Sequence, residues 1–135
     1  MKKKMDILFI EDDLIEGMKF NRVIDGLEYN YKVIEATNGE EALQVLRQNE
    51  TLPNIILLDL NMPKLNGIDF LRILKEDDVL RQIPTIVFTT SNNRKDILEC
   101  YKIGIAGYII KPLKYEDYKE IVKRTLDYWS VNELV

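Results

Sequence analysis

The sequence predicts an α/β fold, a doubly wound sheet of five parallel strands. Five short apolar runs alternate with stretches whose apolar residues recur at helical spacing. The middle run, Ile55-Ile56-Leu57-Leu58, is apolar at four successive positions between Pro53 and Pro63, as expected of a strand covered on both faces. The intervals suit right-handed crossover units.

The first strand leads from Lys4 into Ile7-Leu8-Phe9-Ile10 and stops at Glu11-Asp12-Asp13. Acids at this point suit the N-terminus of a helix from Leu14 to Leu27, with Leu14, Ile15, Met18, Val23, Ile24 and Leu27 as its apolar residues. Tyr31 to Ala36 is a less apolar strand, expected at an edge. Asn38-Gly39-Glu40-Glu41 resembles a capping box and opens a helix to about Gln48, buried through Ala42, Leu43, Val45 and Leu46. The central strand follows, then a loop from Pro63 to Gly67 and a helix carrying Ile68, Phe70, Leu71, Ile73 and Leu74. Pro84 starts the strand Thr85 to Phe88, where its missing N–H is tolerated. After a polar loop, Asp96 to Ile103 forms a short helix capped near Gly104. Gly107 to Ile110 is the fifth strand, and Tyr115 to Trp129 the last helix, with Tyr115, Tyr118, Ile121, Val122, Leu126 and Trp129 on one face.

A length of 135 residues fits one domain, expected over residues 5–130 with no output domain after it. The content, 46% hydrophobic and 31% charged, is that of a globular protein, and no apolar run is long enough to span a bilayer, so a cytoplasmic location is expected. The net charge of −4 and pI near 5.0 argue against nucleic-acid binding, which Lys2 to Lys4 are too few to reverse. Cys100 is the one cysteine, which excludes an internal disulfide and is expected to pack in a helix. Histidine is absent, which removes Ser-His and Cys-His nucleophiles and His-ligated zinc. Chemistry must then run on carboxylates, hydroxyls, lysines and a borrowed metal.

In an open α/β sheet ligands bind beyond the carboxyl ends of the strands. Here those ends bring Glu11, Asp12 and Asp13 together with Asp59, Thr89 and Lys111 on one rim. Taken alone, Asp59 reads equally as the start of a turn. Its company argues otherwise. Carboxylates a few Å apart repel by about 4 kcal/mol per pair at an effective dielectric near 20, and the single charge of Lys111 is too little compensation. One or two carboxylates with water and a phosphate oxygen are how Mg²⁺ is usually held, so the rim suits Mg²⁺ and a phosphoryl group.

Four motifs in order, Ile10-Glu11-Asp12-Asp13, Leu57-Leu58-Asp59-Leu60-Asn61-Met62-Pro63 with Gly67, Pro84 through Thr89, and Gly107-Tyr108-Ile109-Ile110-Lys111-Pro112, resemble those of two-component response regulator receiver domains. The resemblance covers almost the whole chain and implies the flavodoxin-like receiver fold with strand order 2-1-3-4-5. The wording around Asp59 and Thr89-Thr90-Ser91 is most similar to single-domain receivers of the phytochrome-associated type.

The resemblance implies that Asp59 is the phosphoacceptor, its carboxylate attacking phosphorus to give an acyl phosphate. Asp12 would bind Mg²⁺ directly, Glu11 through water or by charge, and Asn61 through its backbone carbonyl; plain helix-terminal acidity is the competing account of the acids. Asp13 falls outside the family's acidic pair and reads as a helix cap or a solvated neighbour. Thr89 would hydrogen-bond a phosphoryl oxygen, with Thr90 and Ser91 as competing hydroxyls. Lys111 would pair with the phosphate, and Lys111-Pro112 would be a cis bond. Tyr108 would be the switch aromatic, inward when phosphorylated and outward when not, or else a plain strand tyrosine. The implied donor is a sensor histidine kinase or histidine phosphotransfer protein, and the output is an unknown downstream protein reached through the fourth helix, fifth strand and last helix. Trp129 and Tyr128 could belong to a homodimer interface, although Trp129 could equally pack on the sheet.

Two other classes compete. A Mg²⁺-dependent phosphohydrolase of the haloacid-dehalogenase type also uses a strand-end Asp, but wants a second Asp where this chain has Asn61. A flavodoxin-like cofactor protein needs a phosphate-cradling first loop, and Glu11-Asp12-Asp13 would repel a phosphate.

Overall fold

The computed structural model describes residues 4–28, 30–48 and 51–134; Met1 to Lys3, most of the N-terminal basic cluster, lie outside the described residues. Strands β1 (Lys4–Ile10), β2 (Asn30–Ala36), β3 (Ile55–Leu58), β4 (Thr85–Thr89) and β5 (Gly107–Ile110) alternate with helices α1 (Leu14–Asp25), α2 (Gly39–Gln48), α3 (Gly67–Glu76), α4 (Arg94–Ile103) and α5 (Tyr115–Ser130). The strands form one parallel sheet in the order β2-β1-β3-β4-β5. A single 3₁₀ turn at Leu80–Gln82, which the sequence reading did not include, leads into β4.

Side-chain alternation along the strands feeds two separate cores. Leu8, Ile10, Ile56, Leu58 and Val87 point to one face, where Leu43 and Leu46 of α2, Phe70, Leu71 and Leu74 of α3 and Cys100 of α4 cover them. Ile7, Phe9, Ile55, Leu57, Ile86 and Phe88 point to the other, under Phe20, Val23 and Ile24 of α1 and Tyr118, Val122 and Leu126 of α5. Each large side chain buried this way stabilises the fold by about 1.5–3 kcal/mol. All four residues of β3 are buried, whereas β2 leaves Asn30, Lys32 and Glu35 exposed and buries only Ala36, as a central and an edge strand should.

The expected apolar face of α1 is only partly right. Val23 and Ile24 are buried with Phe20, whose ring stacks on Phe9 at 4.1 Å, but Leu14, Ile15 and Met18 are 80%, 69% and 63% exposed. The first turns of α1 overhang the rim of the sheet, so helical spacing there finds no core to face. Asn38 does cap α2, accepting from Glu41 N–H at 2.9 Å. Glu41's carboxylate instead accepts from the Thr37 hydroxyl, so the capping box is half formed. Gly104 ends α4 at φ 119°, in the left-handed region that favours glycine. Trp129 packs against the α1/α5 core, while Tyr128 is exposed and meets the Trp129 ring edge-on.

Cys100 is completely buried, as a packing residue should be. Burial, with Asp96 and Glu99 adding to it, pushes its thiol up to about 11. The unfolded thiol therefore ionises first as pH rises, and folding stability should decline from about pH 9 towards 11. At pH 8 iodoacetamide should label the native chain far more slowly than the urea-unfolded chain, a rate that mass spectrometry reads directly.

Candidate functional site

Strand register brings the rim residues together. Ile10 lies beside Leu58, so the next residues, Glu11 and Asp59, emerge side by side. The ladder continues past the strand ends, with Asp59 N–H donating to Ile10 O at 3.0 Å and Glu11 N–H to Ala36 O at 2.9 Å. Gly67 lets the start of α3 approach this backbone: a Cβ there would sit 2.7 Å from Leu60 Cα and 2.9 Å from Asp59 O. Gly67→Ala should therefore lower stability by about 2 kcal/mol through overpacking, seen as a lower urea midpoint at unchanged slope.

Strand parity sorts the remaining groups. Glu11, Asp59 and Lys111 continue the alternation that faces α1 and α5, whereas Thr89 and Tyr108 fall on the α4 side. Glu11 and Lys111 are buried and form an ion pair through Glu11 Oε1 and Lys111 Nζ. The Lys111 ammonium also lies 5.6 Å from the centre of the Phe88 ring. Burial raises the Glu11 carboxyl to about 7 even though Lys111 pulls it down. The sequence places Lys111 and Glu11 at one rim and its family resemblance pairs Lys111 with the phosphate; the engagement of Lys111 with Glu11 comes only from the structure.

Asp59 is 7% exposed, and one carboxylate oxygen each of Glu11, Asp12 and Asp59 lie within 4.8 Å of one another. Three hard carboxylate oxygens gathered this closely are a donor set of the kind that holds Mg²⁺. The residues thus fit a divalent cation, which supplies charge neutralisation for a phosphoryl oxygen. Asp12 is exposed, on the open side where solvent or substrate would complete the coordination. Asp13 is the α1 cap, accepting from Ile15 N–H at 2.8 Å and Glu16 N–H at 3.4 Å. Asn61 is exposed and lines a cavity of about 550 Å³ between the β3–α3 loop and α4.

Of the three successive hydroxyls that start at the last residue of β4, Thr89 is completely buried, Thr90 is exposed, and Ser91 turns its hydroxyl towards Asp96. Tyr108 is half-buried and turned inward, its hydroxyl donating to Ser91 O at 2.8 Å. The cis Lys111-Pro112 bond is not found. No described peptide bond is cis, and the trans form is the one a prolyl bond prefers by about 0.5–1 kcal/mol unless its surroundings select otherwise.

The fold and this rim define a phosphoryl-transfer receiver, and the chain matches the model of the response regulator receiver domain over residues 7–123. The protein belongs to that family and is a receiver module of two-component signal transduction. It is 35% identical over 127 residues to the probable methanogenesis regulatory protein FilR2 of Methanothrix harundinacea, covering 91% of this chain and 82% of that one. Response regulator Rcp1 of a Synechocystis species is 30% identical over 128 residues, covering 91% and 87%. Among solved structures, the phosphorylated cyanobacterial phytochrome response regulator RcpA matches with a TM-score of 0.91 at 32% identity over 99% of both chains. The Mn²⁺-bound form of Rcp1 matches with a TM-score of 0.90 at 28% identity, over 97% of this chain and 99% of that one. The likeness to phytochrome-associated receivers agrees with the sequence reading, and these relatives give the phosphohydrolase alternative no support.

Proposed function

We propose that Asp59 accepts a phosphoryl group from the phosphohistidine of a sensor histidine kinase or histidine phosphotransfer protein. A carboxylate oxygen forms the new bond to phosphorus as the histidine N–P bond breaks, and the electron pair of that bond stays with the imidazole, which takes up a proton. The observation that carries this reading is a buried carboxylate at the end of the central strand, grouped with the carboxylates of Glu11 and Asp12, with the buried Lys111 ammonium paired to Glu11. Glu11, Asp12, Asp59 and the Asn61 backbone carbonyl hold Mg²⁺, which neutralises phosphoryl charge. Lys111 and Thr89 bind the phosphoryl oxygens, and Tyr108 is the switch aromatic.

The domain spans residues 5–130 and works in the cytoplasm; none of its described helices is long and apolar enough to cross a membrane. The chain lacks histidine, so the donor is another molecule. Exposed Leu14, Ile15 and Leu113 flank the acidic rim and suit an apolar helical partner that presents its phosphohistidine to Asp59. The signal leaves through α4, β5 and α5, where Leu98, Tyr101 and Ile110 are exposed for a downstream protein or a second copy of the chain. The protein acts as a switch and not as a turnover enzyme.

Incubation with Mg²⁺ and phosphoramidate should add one phosphate per chain by intact mass, and excess EDTA should prevent it. Sustained hydrolysis of p-nitrophenyl phosphate would overturn the switch reading. Gel filtration of the same samples reports whether phosphorylation drives dimerisation.

A further inference from the structure

Ser91 sits where three parts of the proposed switch meet, and each of its polar groups serves a different one. Its N–H donates to Thr89 Oγ1 at 3.3 Å, and its carbonyl accepts from the Tyr108 hydroxyl at 2.8 Å. Its own hydroxyl donates to Asp96 Oδ2 at 3.2 Å, in the first turn of α4, and accepts from the N–H of Asn93, the α4 cap, at 3.4 Å. Thr89 Oγ1 therefore receives one hydrogen bond and, among the described residues, gives none, so its proton is available to a phosphoryl oxygen on the rim side. The sequence names Ser91 only as a rival hydroxyl for that role. Its hydroxyl is engaged with α4 instead.

We infer that Ser91 is a positioning residue whose hydroxyl couples Thr89 and Tyr108 to the start of α4. The inference rests on the phosphoacceptor reading and names the link by which that site reaches the output face. Tyr108 is tied to Ser91 through a backbone carbonyl that any residue would offer. The hydrogen-bonded link to α4 is different, because beyond the main chain through Asn92 and Asn93 it runs through the Ser91 side chain. When a phosphoryl oxygen captures the Thr89 proton, the Ser91 peptide follows Thr89 Oγ1. The hydroxyl then carries the Asn93 cap and the Asp96 turn with it. Removing the hydroxyl leaves Asp59, Lys111 and Thr89 in place and removes the hydrogen bonds that tie the start of α4 to Ser91. The hydroxyl oxygen is a single atom, so its removal tests this hydrogen-bonded connection with the main chain left intact.

The test uses the whole chain with Mg²⁺ and phosphoramidate, following amide exchange at Asp96 and Ile97 and the ¹⁹F signal of Tyr108 in fluorotyrosine-labelled protein, assigned with Tyr108→Phe. In the wild type, phosphorylation should change α4 first-turn exchange by about fivefold or more, the range of ordinary coupling energies. Ser91→Ala and Asp96→Ala should still take up phosphate and still shift the Tyr108 signal, while the ratio of α4 exchange between the two states falls to near one. Ser91→Thr, which keeps a hydroxyl, should restore the ratio. An α4 response that survives Ser91→Ala overturns the inference. So does faster exchange in both states at an unchanged ratio, which would mark Ser91 as a structural brace alone. No phosphate uptake by the wild type overturns the phosphoacceptor reading and this coupling with it.

Discussion

In Asp59→Asn, phosphate uptake from Mg²⁺ and phosphoramidate is expected to fall by roughly a thousandfold or more, the scale on which loss of a nucleophile acts. The amide is nearly isosteric with the carboxylate, so the backbone bond from residue 59 to Ile10 O survives and the fold should be intact. Stability should rise, because the substitution removes one of three carboxylates whose oxygens lie within 4.8 Å of one another. Intact mass and thermal unfolding on the same preparation separate the two effects. Phosphate uptake equal to wild type would move the acceptor to another residue, whereas lost uptake with a lower melting temperature would point to misfolding in place of lost chemistry.

The second large effect is expected at Lys111. Its ammonium and the Glu11 carboxylate are 4% and 3% exposed and engage each other directly. Lys111→Met keeps most of the side-chain stem and leaves Glu11 buried without its cation. Breaking a buried pair from one side costs about 3 kcal/mol or more. Urea unfolding should show that loss, and it should shrink in the Glu11→Gln background, since the double-mutant cycle removes the stranded charge. Phosphorylation by a small donor should slow by about a hundredfold, the usual effect of removing one charge-stabilising group from a phosphoryl site. An equal stability loss in both backgrounds would mean that packing of the Lys111 stem, and not the ion pair, holds this corner.

The exposure of Leu14, Ile15 and Met18 marks a limit of pattern reading. Their spacing is helical and they do lie on a helix, but a period identifies only a direction around the axis. It does not say whether the sheet extends far enough to meet that direction. The same limit hid the partner of Lys111, since adjacency on a rim leaves the pairing among several carboxylates open. Thr89 shows the opposite case: a hydroxyl on the last residue of a buried strand shares its burial, and the structure leaves Thr90 outside.

The sequence by itself determined the five strand-helix alternations, the caps at Asn38 and Gly104, and the gathering of Glu11, Asp12, Asp59, Thr89 and Lys111 at one edge. Those follow from local periodicity and from the single direction of a parallel sheet. Only the tertiary structure decided that Lys111 engages Glu11, that Tyr108 turns inward to the Ser91 carbonyl, and that Ser91 belongs to α4 more than to the rim. Each of these is a choice among partners already within reach, settled by a few tenths of an ångström and by which charges share a buried space. No spacing along the chain encodes such differences.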